Sequence, residues 1–209
     1  MVKNVYKVTR NLHKLTMTDL LAEQSKLQKQ AFEVIKKLNL NNILGEYGQF
    51  SLVGSIEYGL MTWRDIDANL AMQTDPTDNE YWEIVKAVFS LPKVKLLTLA
   101  DNRQQVESDR PKSMYLGIKY EDHENNVWKI DIRLLAKESI TTDRVAQLIK
   151  EKITEESRII ILQIKSLVCD NPKYHKAFSS VDIYEAVLLS GIKDLDGFRE
   201  YLSKQGKSL

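Results

Sequence analysis

The segment Phe50–Met72, which reads FSLVGSIEYGLMTWRDIDANLAM, constrains the fold of this 209-residue chain more than any other segment. Near its end, Asp65 and Asp67 stand on either side of one isoleucine. Successive side chains of a β-strand point to opposite faces of the sheet. The sequence therefore predicts a strand with both carboxylates on one face. Its other face would be apolar and would consist of Ile66, Ala68, Leu70 and Met72.

Two carboxylates on one face repel each other by about 4 kcal/mol at about 4 Å and an effective dielectric constant of about 20. A divalent cation, which prefers oxygen ligands, would relieve that repulsion. Ahead of the strand, Gly54 and Ser55 follow the apolar strand predicted at 49–53 and precede a short helix. Such a turn lets a phosphate approach the backbone closely. A phosphate-binding turn followed by a metal-binding strand is typical of proteins that use nucleotides.

Val53-Gly54-Ser55, nine intervening residues (56 to 64) and Asp65-Ile66-Asp67-Ala68 resemble the signature of the DNA polymerase beta-like nucleotidyltransferase superfamily. The resemblance implies an α/β (α+β) fold, with a mixed β-sheet flanked by helices and a C-terminal helical subdomain. It also implies a third carboxylate on a later strand, and Asp131 in VWKIDIRLL is well placed for it. The chain length resembles that of small antibiotic-modifying enzymes, of lincosamide or aminoglycoside type, or of minimal nucleotidyltransferases.

The resemblance implies a role for each motif residue. Asp65 and Asp67 would bind one or two Mg²⁺ ions, which bridge the triphosphate and neutralise the charge on the leaving pyrophosphate. Asp131 would be a ligand of the second metal or the general base for the acceptor hydroxyl. Gly54 and Ser55 would hold the β- and γ-phosphates. An Asp-x-Asp pair alone is common at strand ends and in loops, so the combination of all these residues carries the prediction.

Three cations are candidates for binding the nucleotide. Strand alternation over 127–135 places Lys129, Asp131 and Arg133 on one face, where both cations could meet phosphates. Flanking cations on a solvated face are equally common. Lys165 lies in the helical tail, and the resemblance implies that a cation there can reach the triphosphate, although most lysines on amphipathic helices face water.

The tryptophans have a structural interpretation that competes with a role in binding. Trp63, Trp82 and Trp128 are predicted to anchor the core rather than to stack on a base, although Trp63 lies close to the motif.

Composition excludes several classes of protein. The net charge is +1 and charged residues make up 28%, so no basic excess favours nucleic acid as a partner. The apolar runs are too short to cross a bilayer, and the first 15 residues lack the apolar core of a secretory signal. The single cysteine, Cys169, excludes an intrachain disulfide and fits a reducing compartment. We therefore expect a cytoplasmic protein without a membrane partner.

Periodicity divides the chain into two parts. A helix is predicted over 18–38 with Thr18 as its N-cap, and a β-hairpin is predicted from strands at 114–120 and 127–135. From Thr142 onward the pattern is helical, with a break near Thr154. This layout predicts a nucleotidyltransferase domain at 1–140 and a C-terminal helical subdomain at 141–209.

The sequence as a whole predicts a metal-dependent nucleotidyltransferase with Mg²⁺ as cofactor and an NTP as donor. It would transfer a nucleoside monophosphate to a hydroxyl of a small, antibiotic-like molecule or of a protein. The alternative is a non-catalytic nucleotide-binding or interaction module that retains the fold. The intact set of three aspartates argues against that alternative, because decayed sites usually lose a carboxylate.

Overall fold

The computed structural model describes residues 16–104, 111–140 and 144–209. The predictions made for the first 15 residues, and for the start of the helical tail at Thr142, lie outside these ranges. Within them the chain forms a five-stranded sheet of order β1-β2-β5-β4-β3. The strands are β1 (Gln49–Val53), β2 (Asp65–Met72), β3 (Val94–Asp101), β4 (Met114–Glu121) and β5 (Val127–Ala136).

The sheet is mixed, as the sequence predicts. β2 and β5 run parallel, whereas β1 with β2, β4 with β5 and β3 with β4 are antiparallel. Helices accompany the sheet and form most of the last third of the chain. They are α1 (Met17–Lys37), α2 (Leu40–Gly45), α3 (Ser55–Tyr58), α4 (Asp78–Phe89), α5 (Arg144–Lys152), α6 (Glu155–Val168), α7 (Ser180–Ser190) and α8 (Leu195–Lys204). The α+β fold class is therefore confirmed.

The alternation predicted for β2 and β5 is present in the structure. Apolar side chains of both strands are buried: Ile66, Ala68, Leu70, Met72, Ile130, Ile132 and Leu134. Between them, Asp65, Asp67, Asn69 and Asp131 are half-buried, whereas Arg133 is exposed and Ala71 is buried. The two central strands thus bury one apolar face in the core and leave a polar face that several carboxylates share.

Two local predictions are wrong. The hydroxyl of Thr16, not of Thr18, accepts a hydrogen bond from the backbone N–H of Asp19, so the cap lies two residues earlier than predicted and α1 begins at Met17. Trp82 is 51% exposed instead of buried, because the buried side of α4 is formed by Tyr81, Ile84, Val85 and Val88. With 3.6 residues per turn, the residue after Tyr81 points about 100° away from that side.

The described chain forms two compact units. The first comprises residues 27–59, 63–104 and 111–140 and contains the whole sheet. The second comprises residues 16–26, 60–62 and 144–209, and within it α7 packs against α5, α6 and α8. The division at residues 140 and 141 that the sequence suggests stays a prediction. No helix in the described part of the chain is long and apolar enough to span a membrane.

Candidate active site

The parallel pairing of β2 with β5 brings the three aspartates together. Asp67 pairs with Asp131, and Asp65 pairs with Lys129, so all four side chains lie on the same face of the sheet. One carboxylate oxygen from each of Asp65, Asp67 and Asp131 lies within 4.8 Å of the other two. A set of carboxylate oxygens this close fits the ligand preference of Mg²⁺.

Lys129 lies between two of these carboxylates. Its ammonium donates to Asp131 Oδ2 at 2.5 Å and to Asp65 Oδ1 at 3.3 Å. Burial alone would lower the pKa of Lys129, but Asp65 and Asp131 outweigh it and raise that pKa overall, so the ammonium stays charged at neutral pH. Burial raises the pKa of Asp131, and the charge of Lys129 opposes this effect. The site therefore contains three carboxylates and an internal cation.

Two neutral donors orient the same carboxylates. The Tyr115 hydroxyl donates to Asp131 Oδ1 at 2.8 Å, and the Trp63 indole Nε1 donates to Asp65 Oδ2 at 3.3 Å. Burial, together with the nearby charge of Asp131, raises the pKa of Tyr115, so its hydroxyl stays protonated. Trp63 is therefore a neighbour of the site and not solely a core residue.

A glycine makes the tyrosine contact possible. Gly117 of β4 pairs with Asp131 of β5, and Tyr115 lies two residues away on the same face. A Cβ atom at Gly117 would lie 2.4 Å from the Tyr115 hydroxyl oxygen. Sequence reasoning missed both residues, although a Tyr-x-Gly pattern in the first arm of the hairpin was a signal that could have suggested them.

The Gly54-Ser55 turn lies directly against the second aspartate. Gly54 has φ +70° and ψ −145°, and a Cβ atom there would lie 3.0 Å from Asp67 Oδ2. The φ value belongs to the region that favours glycine. Ser55 is the first residue of α3, a single turn that ends at Tyr58. The backbone thus passes close to a carboxylate in a conformation that a side chain would obstruct.

The other two predicted cations have different surroundings. Arg133 is exposed, and its Nε donates to Asn69 Oδ1 at 3.2 Å across the β2–β5 pair. Lys165 belongs to the second unit and is only 1% exposed. Its Nζ donates to the Leu60 carbonyl at 2.6 Å and to the Tyr184 hydroxyl at 3.3 Å. Lys165 does not face water, and its contact with a triphosphate stays a prediction.

The arrangement of sheet and helices is shared with solved structures of the Cid1 poly(U) polymerase. No protein-family model and no curated protein sequence matches the chain. A solved structure of the Cid1 poly(U) polymerase with MgGTP aligns with a TM-score of 0.58 at 15% identity, over 82% of this chain and 54% of that one. A second Cid1 structure, described for its RNA terminal uridylyl transferase activity, aligns with a TM-score of 0.57 at 14% identity, over 82% and 51%.

A structure of the CdnE c-di-GMP synthase from Capnocytophaga granulosa also aligns, at 13% identity over 93% of this chain and 74% of that one. Its TM-score of 0.49 is too low to support a conclusion. The chain spans about half the length of the Cid1 structures that it matches. At these identities the similarity shows the fold, and the fold is the one that the motif residues predict.

Proposed function

We propose that this protein is a magnesium-dependent nucleotidyltransferase that transfers a nucleoside monophosphate from an NTP to a hydroxyl group. The observation that carries the proposal is the approach of Asp65, Asp67 and Asp131 to within 4.8 Å of one another on one face of the sheet. The second support is the Gly54-Ser55 turn, which lies against Asp67. The fold supports the same class of reaction.

In this proposal the three aspartates would hold Mg²⁺, which would supply positive charge against the triphosphate and the leaving pyrophosphate. The backbone of Gly54 and the hydroxyl of Ser55 hold the β- and γ-phosphates. The acceptor oxygen bonds to the α-phosphorus as the bond to the pyrophosphate oxygen breaks, and Asp131 accepts the acceptor's proton. Burial raises the pKa of Asp131, which makes the carboxylate a stronger base. Lys129, Arg133 and Lys165 contribute positive charge toward the nucleotide.

The acceptor that we propose is a small molecule or a protein, in keeping with a net charge of +1. The 3′-hydroxyl of RNA is a second candidate, because the Cid1 structures belong to a poly(U) polymerase with RNA terminal uridylyl transferase activity. A non-catalytic module that binds the nucleotide without transferring it is the remaining alternative.

The first test is thermal unfolding with each of the four NTPs, with and without Mg²⁺. We expect the wild-type protein to gain stability with at least one NTP in the presence of Mg²⁺. At a ligand concentration about 100 times Kd the gain is about 2.7 kcal/mol, or a rise of several degrees in Tm. Asp67→Ala should abolish the shift, while Asp75→Ala, which removes an exposed carboxylate just beyond β2, should preserve it.

The absence of a Mg²⁺-dependent shift with every NTP would contradict the proposal. Where a shift is found, the wild-type protein should release pyrophosphate from the preferred NTP when it is incubated with candidate acceptors. The same assay should detect none from Asp67→Ala. A thermal shift without release of pyrophosphate from the NTP, whichever acceptor is present, would support the non-catalytic module.

A further inference from the structure

The side chain of Lys129 is held inside the carboxylate site. It is 39% exposed and contacts Asp65 and Asp131, whose side chains are 15% and 19% exposed. The register explains this position, because Lys129 stands opposite Asp65 on the neighbouring strand and two residues before Asp131 on its own strand. Strand alternation places all three side chains on the same face, so the ammonium stays within reach of both carboxylates.

All four carboxylate oxygens of Asp65 and Asp131 accept a hydrogen bond from a side chain. Trp63 donates to Asp65 Oδ2 and Tyr115 to Asp131 Oδ1, while Lys129 donates to the remaining oxygen of each carboxylate. A carboxylate oxygen has two lone pairs, so a neutral donor on one of them leaves the other available to a cation. Of these three donors, Lys129 alone also carries a charge, which repels an incoming cation.

The charges of this group limit how many cations it can hold. Three carboxylates and one ammonium sum to −2, which one divalent cation neutralises, whereas a second would leave the group at +2. A bound triphosphate adds several negative charges and would remove this restriction. The charge balance thus makes binding of a second metal ion depend on the nucleotide.

We infer that Lys129 is an internal counter-charge that keeps the affinity of the three-aspartate site for divalent cations low until an NTP binds. The inference rests on the proposed function. Lys129 acts through Asp65 and Asp131, so it is a positioning residue whose effect is measured in metal binding before it is measured in turnover.

The test is a titration with Mn²⁺ in the absence of nucleotide, followed by the electron paramagnetic resonance signal of free Mn²⁺. Wild-type protein should bind about one ion weakly. Lys129→Met should bind Mn²⁺ at least about tenfold more tightly and should take up a second ion. Lys95→Met is the matched control, because Lys95 lies on the same sheet and pairs with Glu121 instead. It should bind Mn²⁺ as the wild type does.

Lys129→Arg keeps the charge, so its affinity for Mn²⁺ should resemble that of the wild type. This variant shows whether the charge or the shape of the side chain lowers the affinity. Circular dichroism establishes that each variant is folded. With a non-hydrolysable NTP analogue present, the difference between Lys129→Met and the wild type should narrow to less than about threefold. Equal Mn²⁺ affinities for Lys129→Met and the wild type, or tight binding by Lys129→Arg, would overturn the inference.

The titration without nucleotide requires no turnover. A failure of the proposed function would appear as an absent NTP shift beside an intact difference in Mn²⁺ affinity. A failure of the inference would appear as an intact NTP shift without that difference.

Discussion

Tyr115 and Gly117 lie two residues apart on one face of β4 and together fix the position of Asp131. The tyrosine hydroxyl occupies the space that a side chain at Gly117 would fill, 2.4 Å from the position of a Cβ atom. The same hydroxyl donates to Asp131 Oδ1. The two residues are therefore coupled, and a change in either one displaces the donor from the carboxylate.

We expect Gly117→Ala to lower the free energy of unfolding by about 1–3 kcal/mol, because the added methyl group overpacks the site. Tyr115→Phe should cost about 1 kcal/mol through the lost hydrogen bond. The double variant should cost at least about 0.5 kcal/mol less than the sum, because the hydroxyl that clashes is already absent. Urea unfolding of the four proteins measures this coupling. Strict additivity would show that the residues act independently.

Gly54→Ala tests the turn that carries the proposed phosphate contacts. The backbone at φ +70° and ψ −145° is strained for alanine, and its Cβ atom would meet Asp67 Oδ2 at 3.0 Å. We expect a loss of about 1–3 kcal/mol in stability and loss of the Mg²⁺-dependent NTP shift. Gly45→Ala is the control, since a Cβ atom there has no neighbour within 4 Å. An unchanged NTP shift in Gly54→Ala would contradict the assigned role of the turn.

At the level of residues, the sequence predicted which carboxylates share a face but not what they contact. Alternation fixes the direction of Asp65, Asp67 and Asp131, whereas the hydrogen bonds that Tyr115 and Trp63 donate depend on rotamers and on strand order.

Repulsion alone predicts that replacing any one aspartate by asparagine stabilises the metal-free protein. At Asp65 and Asp131 the gain should be reduced, because the substitution also removes an ion pair with Lys129.

Among the elements, the β4–β5 hairpin contains its own stabilising centre. Asp122 is 7% exposed and accepts hydrogen bonds from the backbone N–H groups of Glu124 and Asn126. It also accepts one from the indole Nε1 of Trp128, which is fully buried. Burial alone would raise the pKa of Asp122, but these donors outweigh it and hold the pKa below its usual value of 3.8.

A lowered pKa in the folded state means that the ionised Asp122 stabilises the protein above pH 3.8, and this contribution is lost as the pH falls through the folded pKa. We expect Asp122→Asn to be less stable than the wild type at pH 6. The difference between the two proteins should shrink as the pH approaches 3. Glu124→Gln, in the same turn but exposed, is the matched control for the loss of a carboxylate. Urea unfolding measures the free energy of unfolding of each protein across this pH range. A constant difference between Asp122→Asn and the wild type would contradict the role assigned to the ionised Asp122.

Secondary structure was predictable where periodicity was strong. The hairpin, the two central strands and the break before α6 all follow from alternation or from a capping residue, and Thr154 does cap α6. The burial of β3 does not alternate regularly: the strand lies at the edge of the sheet, and a register shift between Val94 and Leu96 interrupts its pairing with β4. Such an irregularity depends on the partner strand, so the sequence of β3 alone does not contain it.

For the whole molecule, the balance of charge bears on the choice of acceptor. Proteins that bind nucleic acid release counterions in proportion to the phosphates that they neutralise, so their affinity falls steeply with salt. With a net charge of +1, we expect weak binding to single-stranded RNA. The slope of log affinity against log salt should be shallower than about −2. Fluorescence anisotropy with labelled oligouridylate measures it. A steep slope with tight binding would favour the RNA acceptor.

The overall class of fold was predictable because a short motif identifies it, but the division into units was not. Residues 60–62, which follow α3, and residues 16–26 of α1 belong to the second compact unit although they lie far from it in sequence. Contacts between distant segments of this kind leave no local pattern. For the same reason the burial of Lys165, with its bond to the Leu60 carbonyl, could not be foreseen.

The parallel register of β2 and β5 also determines which length changes a gene for this protein can tolerate. Removal of one codon between Val127 and Asp131 would turn Asp131 toward the apolar side and bring an isoleucine beside Asp67. Removal of two codons would return each side chain to its original face of the sheet but would shorten the strand. Viable insertions and deletions should therefore fall outside both strands, and outside the turn at 122–126 that the hydrogen bonds to Asp122 hold.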